Sequence, residues 1–203
     1  MEVEFRGCDG SLVLYEDLTN ATANGTRLWE AGTLLARYVE ANYESKLKKK
    51  RVLELGSGTG LLSIYLGKLG ATVLSCDNNP LVVALLKKNV AANKVGKLVT
   101  VRAFDWSLPA DVASVGTEFD FVMGADCVFS LAATEKLVDC LDAVMQNGAT
   151  LGFMSIETRD NAVTESFVLG MQKKKFDISV VSLRGIDKKY QHEDLAIYRF
   201  QRM

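Results

Sequence analysis

The 203 residues suffice for one domain with a sizeable core, and 48% hydrophobic content with 24 basic against 25 acidic residues describes a soluble globular chain. Its net charge of -1 supplies no overall basic field for nucleic acid, and its one histidine, His192, rules out a histidine-rich zinc site or two-histidine catalysis. Cys8, Cys76, Cys127 and Cys140 have neither CxxC spacing nor disulfide density, so they read as small core residues in a reducing compartment, and no metal site is expected.

In chain order, "MEVEFRGCDGSLVLYEDL" lacks an apolar signal core, and no stretch is apolar for long enough to cross a bilayer. The chain is therefore expected in the cytoplasm, with the nucleus open to it, and off the membrane. "SLVLYEDL" and the residues before it predict a strand or hairpin. The next segment holds two glycosylation-like patterns, Asn20-Ala-Thr22 and Asn24-Gly-Thr26, which without a secretory signal read as a polar turn. An amphipathic helix follows over 27–43, with Leu28, Ala31, Leu35 and Tyr38 on one face. "KLKKKR" reads as a solvated helix-to-strand loop rather than a targeting signal.

From there strands alternate with helices, the pattern of a mostly parallel sheet covered on both faces. The predicted strands are 52–55, 72–76, 99–102, 119–123, 150–155, 176–182 and 196–201; the helices are 61–69, 81–92, 131–145 and 160–171, with an irregular connection over 106–115. The last two strands can pair as an antiparallel hairpin at the sheet edge. With two prolines and no linker, residues 1–203 form a single domain, in which 1–50 supply the strand or hairpin and a helix lid over a core of 51–203. Nothing marks an oligomer face, so the expected state is a monomer.

"VLELGSGTG" ends a strand and opens a helix through Gly56, Ser57, Gly58 and Gly60, letting a ligand approach the helix N-terminus. The third glycine comes one residue earlier than in the dinucleotide pattern G-x-G-x-x-G, and Glu54 would oppose a pyrophosphate while favouring a cationic ligand. Asp77, with Asn78 beside it, closes the next strand about 20 residues on, where a carboxylate can take both hydroxyls of a ribose. A ribose-bearing cation is implied, and S-adenosylmethionine meets both demands. Past the third strand, Asp105 could accept from an adenine amino group while Trp106 packs near the ring. "GADCVF" puts Asp126 and Phe129 at the C-terminal edge of the sheet, either as a substrate-side pair or, for Asp126, as a cap on the following helix.

These stretches, with "LWEAGTLLARYV", "LLKKNVAAN" and the D-x-x-F element in "ADCVF", make the chain resemble the class I, seven-strand S-adenosylmethionine-dependent methyltransferases of methyltransferase family 16, the protein N-lysine methyltransferases. The resemblance implies a Rossmann-like α/β fold in which Trp29, the Gly56 to Gly58 backbone, Asp77, Trp106 and Ala125 contact the cofactor. It also implies that Asp126 and Phe129 receive a lysine of a protein substrate. "IETR" and "KKYQHEDLAIYRF" are similar to the branch acting on the valosin-containing AAA ATPase, which implies an AAA ATPase or chaperone-like substrate. Glu157 and Arg159 are read as shaping a peptide groove or as a surface ion pair. Two alternatives stand beside this reading: a small-molecule methyltransferase, and a non-catalytic adaptor that binds cofactor and docks on a partner.

Overall fold

The computed structural model describes residues 1–8, 10–19 and 24–203; Asn20 and Thr22 of the first glycosylation-like pattern lie outside them. Strands β1 (Glu2–Val3) and β2 (Leu12–Val13) form a small antiparallel hairpin, and α1 (Glu30–Asn42) follows. The main body runs β3 (Arg51–Leu55), α2 (Leu61–Lys68), β4 (Thr72–Asp77), α3 (Pro80–Ala92), β5 (Val99–Ala103), α4 (Pro109–Val115), β6 (Phe121–Ala125), α5 (Leu131–Val144), β7 (Leu151–Glu157), α6 (Asn161–Lys173), β8 (Phe176–Val180) and β9 (Leu195–Arg202).

The seven main strands lie in the order β5-β4-β3-β6-β7-β9-β8. β3 to β7 are mutually parallel, and β9 runs antiparallel between β7 and β8, so the reversed strand sits one in from the edge. Side chains alternate across β3: Val52 joins the core under α1, α2 and α3, whereas Leu53 and Leu55 join the core under α5 and α6. Both faces are therefore dry, as a parallel sheet requires.

Two sequence expectations are adjusted. The fourth parallel strand begins at Phe121 rather than Phe119, just past Asp120, whose carboxylate accepts from Lys50 Nζ at 2.7 Å and the Arg51 amide at 2.8 Å. The 106–115 connection contains α4, whose Pro109 suits a first helical turn that needs no N–H there. In the first fifty residues, Ala31, Leu34, Leu35, Ala36, Tyr38 and Val39 of α1 are buried in the core, and the chain ahead of the helix, at Asn24, Gly25 and Trp29, borders the cleft described below. Cys76, Cys127 and Cys140 are buried thiols. Among the described residues no helix is long and apolar enough to cross a membrane.

Candidate active site

Sheet order reverses between β3 and β6, and at such a switch point the carboxyl ends of the strands leave a crevice. The loop after β3 fills its floor. Gly56 and Gly58 both have positive φ, 63° and 55°, a region that glycine enters without strain. A Cβ on Gly56 would lie 2.7 Å from Cys127 Sγ, and one on Gly58 3.2 Å from the Gly25 carbonyl oxygen. The glycines thus serve close packing of the loop against its own neighbours as well as its turn. Gly60, also at positive φ, is the residue from which α2 starts. Ser57 turns inward, its amide donating to the Cys76 carbonyl at 2.8 Å and its hydroxyl accepting from the Cys76 amide at 3.0 Å.

Glu54 does not face the crevice. It shares the α2 face with Val52, is 3% exposed, and accepts a hydrogen bond from Ser63, whose oxygen lies 2.7 Å from that of Ser75. Burial pushes its carboxyl up to about 7 from 4.5, against the hydrogen bonds from Ser63. Between those two values the unfolded chain has released the proton and the folded chain has kept it, so stability falls as pH rises through that window and levels off above it. Glu54→Gln retains an acceptor for Ser63 and is expected to flatten that slope. Thermal melts from about pH 5 to about pH 8 would show it, the parent losing several degrees and the variant few. Asp77, raised for the same reason, acts in the same direction, so an unchanged slope in Glu54→Gln would assign the effect to Asp77 instead.

Asp77 ends β4 with its carboxylate on the crevice floor, one oxygen accepting from the Gly58 amide at 3.2 Å and the other from the Asn79 amide at 3.1 Å. Each oxygen keeps a lone pair for another donor. Burial raises its carboxyl despite those amides. Asn78 reaches Asp105, its amide nitrogen 3.4 Å from Oδ2, and the other Asp105 oxygen accepts from the Ser107 amide at 2.8 Å. The bonds from Ser107 hold the Asp105 carboxyl below its usual range. Trp106 stands in the wall between the crevice and a separate apolar cavity of about 370 Å³ between α4 and α5.

At the other end, Asp126 follows β6 with φ 56°, an unusual value for a residue with a Cβ, and its amide donates to the Ser155 carbonyl at 2.8 Å. It caps no helix: α5 is capped by the Ser130 hydroxyl, which accepts from Ala133. Instead both its oxygens receive the Arg159 guanidinium, Nη1 at 3.0 Å and Nη2 at 2.7 Å, and Nη2 also meets Glu157. Phe129 projects beside it with 59% of its surface exposed. Arg159 also lies over the Trp29 ring at 5.3 Å, Arg27 lies over the same ring at 3.7 Å, and the indole N–H donates to the Asn24 carbonyl at 2.8 Å.

The crevice, about 340 Å³, is bordered by Trp29, Gly56, Gly58, Asp77, Asn78, Trp106, Ala125, Asp126 and Phe129, joined by Gly25, Cys127 and Arg159. Of the sequence-selected residues, Glu54, Ser57, Gly60, Asp105 and Glu157 do not border it. A wider opening of about 690 Å³ beside β1 and α1 contains none of this machinery. His192 lies outside the crevice, 3.3 Å from the Glu30 carboxylate.

Two residues of "LLKKNVAAN" acquire a role that periodicity did not reveal. Asn89, fully buried, accepts from the Tyr15 amide at 2.9 Å and donates to the Tyr15 carbonyl at 3.0 Å and the Thr59 carbonyl at 2.8 Å. Asn93 brackets Val13 in the same way, at 2.9 and 2.7 Å. Their side-chain amides pair the backbone edge of β2 and of the residues after it, alongside the β1 partner on the hairpin's other edge. The signal was two asparagines four apart, Asn89 in the helix and Asn93 at its C-cap, on the apolar side away from Lys87 and Lys88.

A family profile described as lysine methyltransferase matches residues 8–174. The protein-lysine N-methyltransferase EFM2 of Saccharomyces cerevisiae is 28% identical over 209 residues, covering 91% of this chain and 50% of that protein. The EEF1A lysine methyltransferase 3 of Xenopus tropicalis is 30% identical over 178 residues, covering 86% of this chain and 74% of that one. The chain thus spans about half the length of the yeast relative. Aeropyrum pernix fibrillarin, solved in complex with natively bound S-adenosyl-L-methionine, shares the fold with a TM-score of 0.62 at 18% identity, over 85% of this chain and 76% of that chain. Because the matched segment carries the glycine loop, Asp77, the D-x-x-F element and Arg159, and runs from before β2 to the end of α6, the chain belongs to the lysine methyltransferase family.

Proposed function

We propose that the protein is an S-adenosylmethionine-dependent protein N-lysine methyltransferase acting in the cytosol or nucleus. The observation that carries this reading is that one crevice holds both a nucleoside-type floor, Gly56 to Asp77, and an acceptor-type end, Asp126 with the exposed ring of Phe129. The donor set suits the cofactor. Asp77 offers lone pairs to ribose hydroxyls, and among the described residues its carboxylate is bonded by backbone amides and by no lysine or arginine such as a phosphate would require.

S-adenosylmethionine, bound there, would supply the methyl of its sulfonium to a neutral lysine amine and leave as S-adenosylhomocysteine, with Asp126 and Phe129 holding the amine. A free lysine has a pKa near ~10.4, so the amine must first lose a proton, which water accepts. Asp126 receives the cationic head and aims it, and Phe129 holds the methylenes and presents its ring face. Positioning and exclusion of water carry the acceleration.

A protein acceptor is favoured over a small molecule because Phe129 stands open at the rim and α1 packs into the core instead of closing over it. An AAA ATPase or chaperone-like substrate remains part of this proposal, as does a monomeric enzyme. The test incubates the purified protein with methyl-labelled S-adenosylmethionine and a methylation-poor lysate, then maps the label by mass spectrometry. A dominant protein band methylated on lysine is the expected result. Label confined to small amines, phenols or catechols would indicate a small-molecule enzyme, and cofactor binding without any transfer would indicate an adaptor.

A further inference from the structure

The acceptor end of the crevice carries more charge than a lysine needs. Asp126 lines the crevice at the end of β6, and Glu157, at the end of β7 and not itself on the lining, meets the same guanidinium, so without that cation the two would set two negative charges beside an arriving ammonium and raise the pKa of the amine held there. That opposes the transfer, which requires the neutral amine. One guanidinium, Arg159, bridges the two carboxylates, occupying both Asp126 oxygens in a fork at 3.0 and 2.7 Å. The fork leaves each Asp126 oxygen a further acceptor site, while the Asp126 amide is tied to the Ser155 carbonyl.

The side chain of Asp126 is 9% exposed, so the pair is only partly screened by solvent, and the Trp29 ring covers Arg159 from α1's side. Other charges nearby are arranged differently. Arg27 faces the same ring, Glu30 of α1 is matched with His192, and Asp160 spends its carboxylate on the Ala162 amide at the start of α6.

We propose that Arg159 is a positioning residue for the transfer: it fixes the Asp126 carboxylate and offsets one of the two negative charges there, so that a lysine amine is aimed without being locked in its protonated form. This rests on the methyltransferase reading above. A lysine at the same place would keep the charge but lose the two-pronged grip.

The test needs no protein substrate. Sinefungin, an S-adenosylmethionine analogue with an amine-bearing carbon in place of the methylated sulfur, puts a titratable ammonium where the methyl would point, and S-adenosylhomocysteine leaves that point empty. Calorimetric affinities of both are compared for the parent, Arg159→Met and Arg159→Lys across pH. In Arg159→Met, S-adenosylhomocysteine should bind within about twofold of the parent, while sinefungin tightens about tenfold at neutral pH and its pH dependence moves up by about one unit. Arg159→Lys should restore the parental ratio of the two affinities.

An unchanged ratio in Arg159→Met would overturn the proposal. Equal losses for both ligands together with a lowered Tm would overturn it too, by giving Arg159 a purely structural role. Failure of either nucleoside to bind the parent protein would instead remove the methyltransferase reading, and this inference with it.

Discussion

Asp126→Ala is expected to slow methyl transfer by about a hundred- to a thousandfold, the range lost when a charged group that positions a reacting centre is removed. Affinity for S-adenosylhomocysteine should change by less than about threefold, because Asp77 and the glycine loop lie at the opposite end of the crevice. Two effects unrelated to chemistry have to be separated. Alanine at φ 56° adds a backbone penalty of about 1 kcal/mol, and Arg159 would be left with Glu157 alone. Asp126→Asn keeps a residue type that tolerates the left-handed region, so it should fold like the parent and still lose most turnover. Single-turnover assays with calorimetry check this; parallel losses of binding and turnover would place Asp126 among the cofactor contacts and undo its assignment to the amine.

The second large effect concerns stability. Asn89→Ala removes three side-chain hydrogen bonds at a fully buried position and strands the amide and carbonyl of Tyr15 and the carbonyl of Thr59. A buried group left unsatisfied costs about 1–3 kcal/mol, and the Tyr15 groups, only part-buried, add less, for a total loss of ~3 kcal/mol. For a domain of this size that lowers Tm by about 10 °C. Cofactor affinity should fall as well, because Thr59 belongs to the glycine loop and Tyr15 leads toward the rim at Trp29. A Tm within about 2 °C of the parent would mean that water takes over these bonds and that the asparagine stitch is dispensable.

The fold was legible where local pattern and burial agree. Strands such as Thr72–Asp77 hold a short β-prone run buried on both faces, and the helices that follow carry clear stripes, so their limits emerged within a residue or two. Phe119 was misassigned because an apolar residue two positions early looks like strand, while the anchoring of Asp120 by Lys50 and Arg51 is a contact across some seventy residues. In the site, residue type and position behind each strand located Gly58, Asp77, Trp106 and Asp126, but not where every side chain points. Glu54 lies two residues before Gly56, yet strand alternation sends it toward Ser63. The bond from Arg159 to Asp126 spans 33 positions and could not be read from spacing, although both residues were singled out.

The reversal of strand order between β3 and β6 has a consequence for how such a chain can diversify. One wall of the crevice is built from residues 56–106, wound outward in one direction, and the other from 125–159, wound in the opposite direction, with the segment 24–29 closing the rim. Under the proposed function, the grip on the nucleoside and the choice of recipient would then be encoded in separate stretches of one gene, meeting only in space. Substitutions that retarget the enzyme to a new recipient need not disturb the half that holds the methyl donor, so a lineage can exchange customers while keeping its currency.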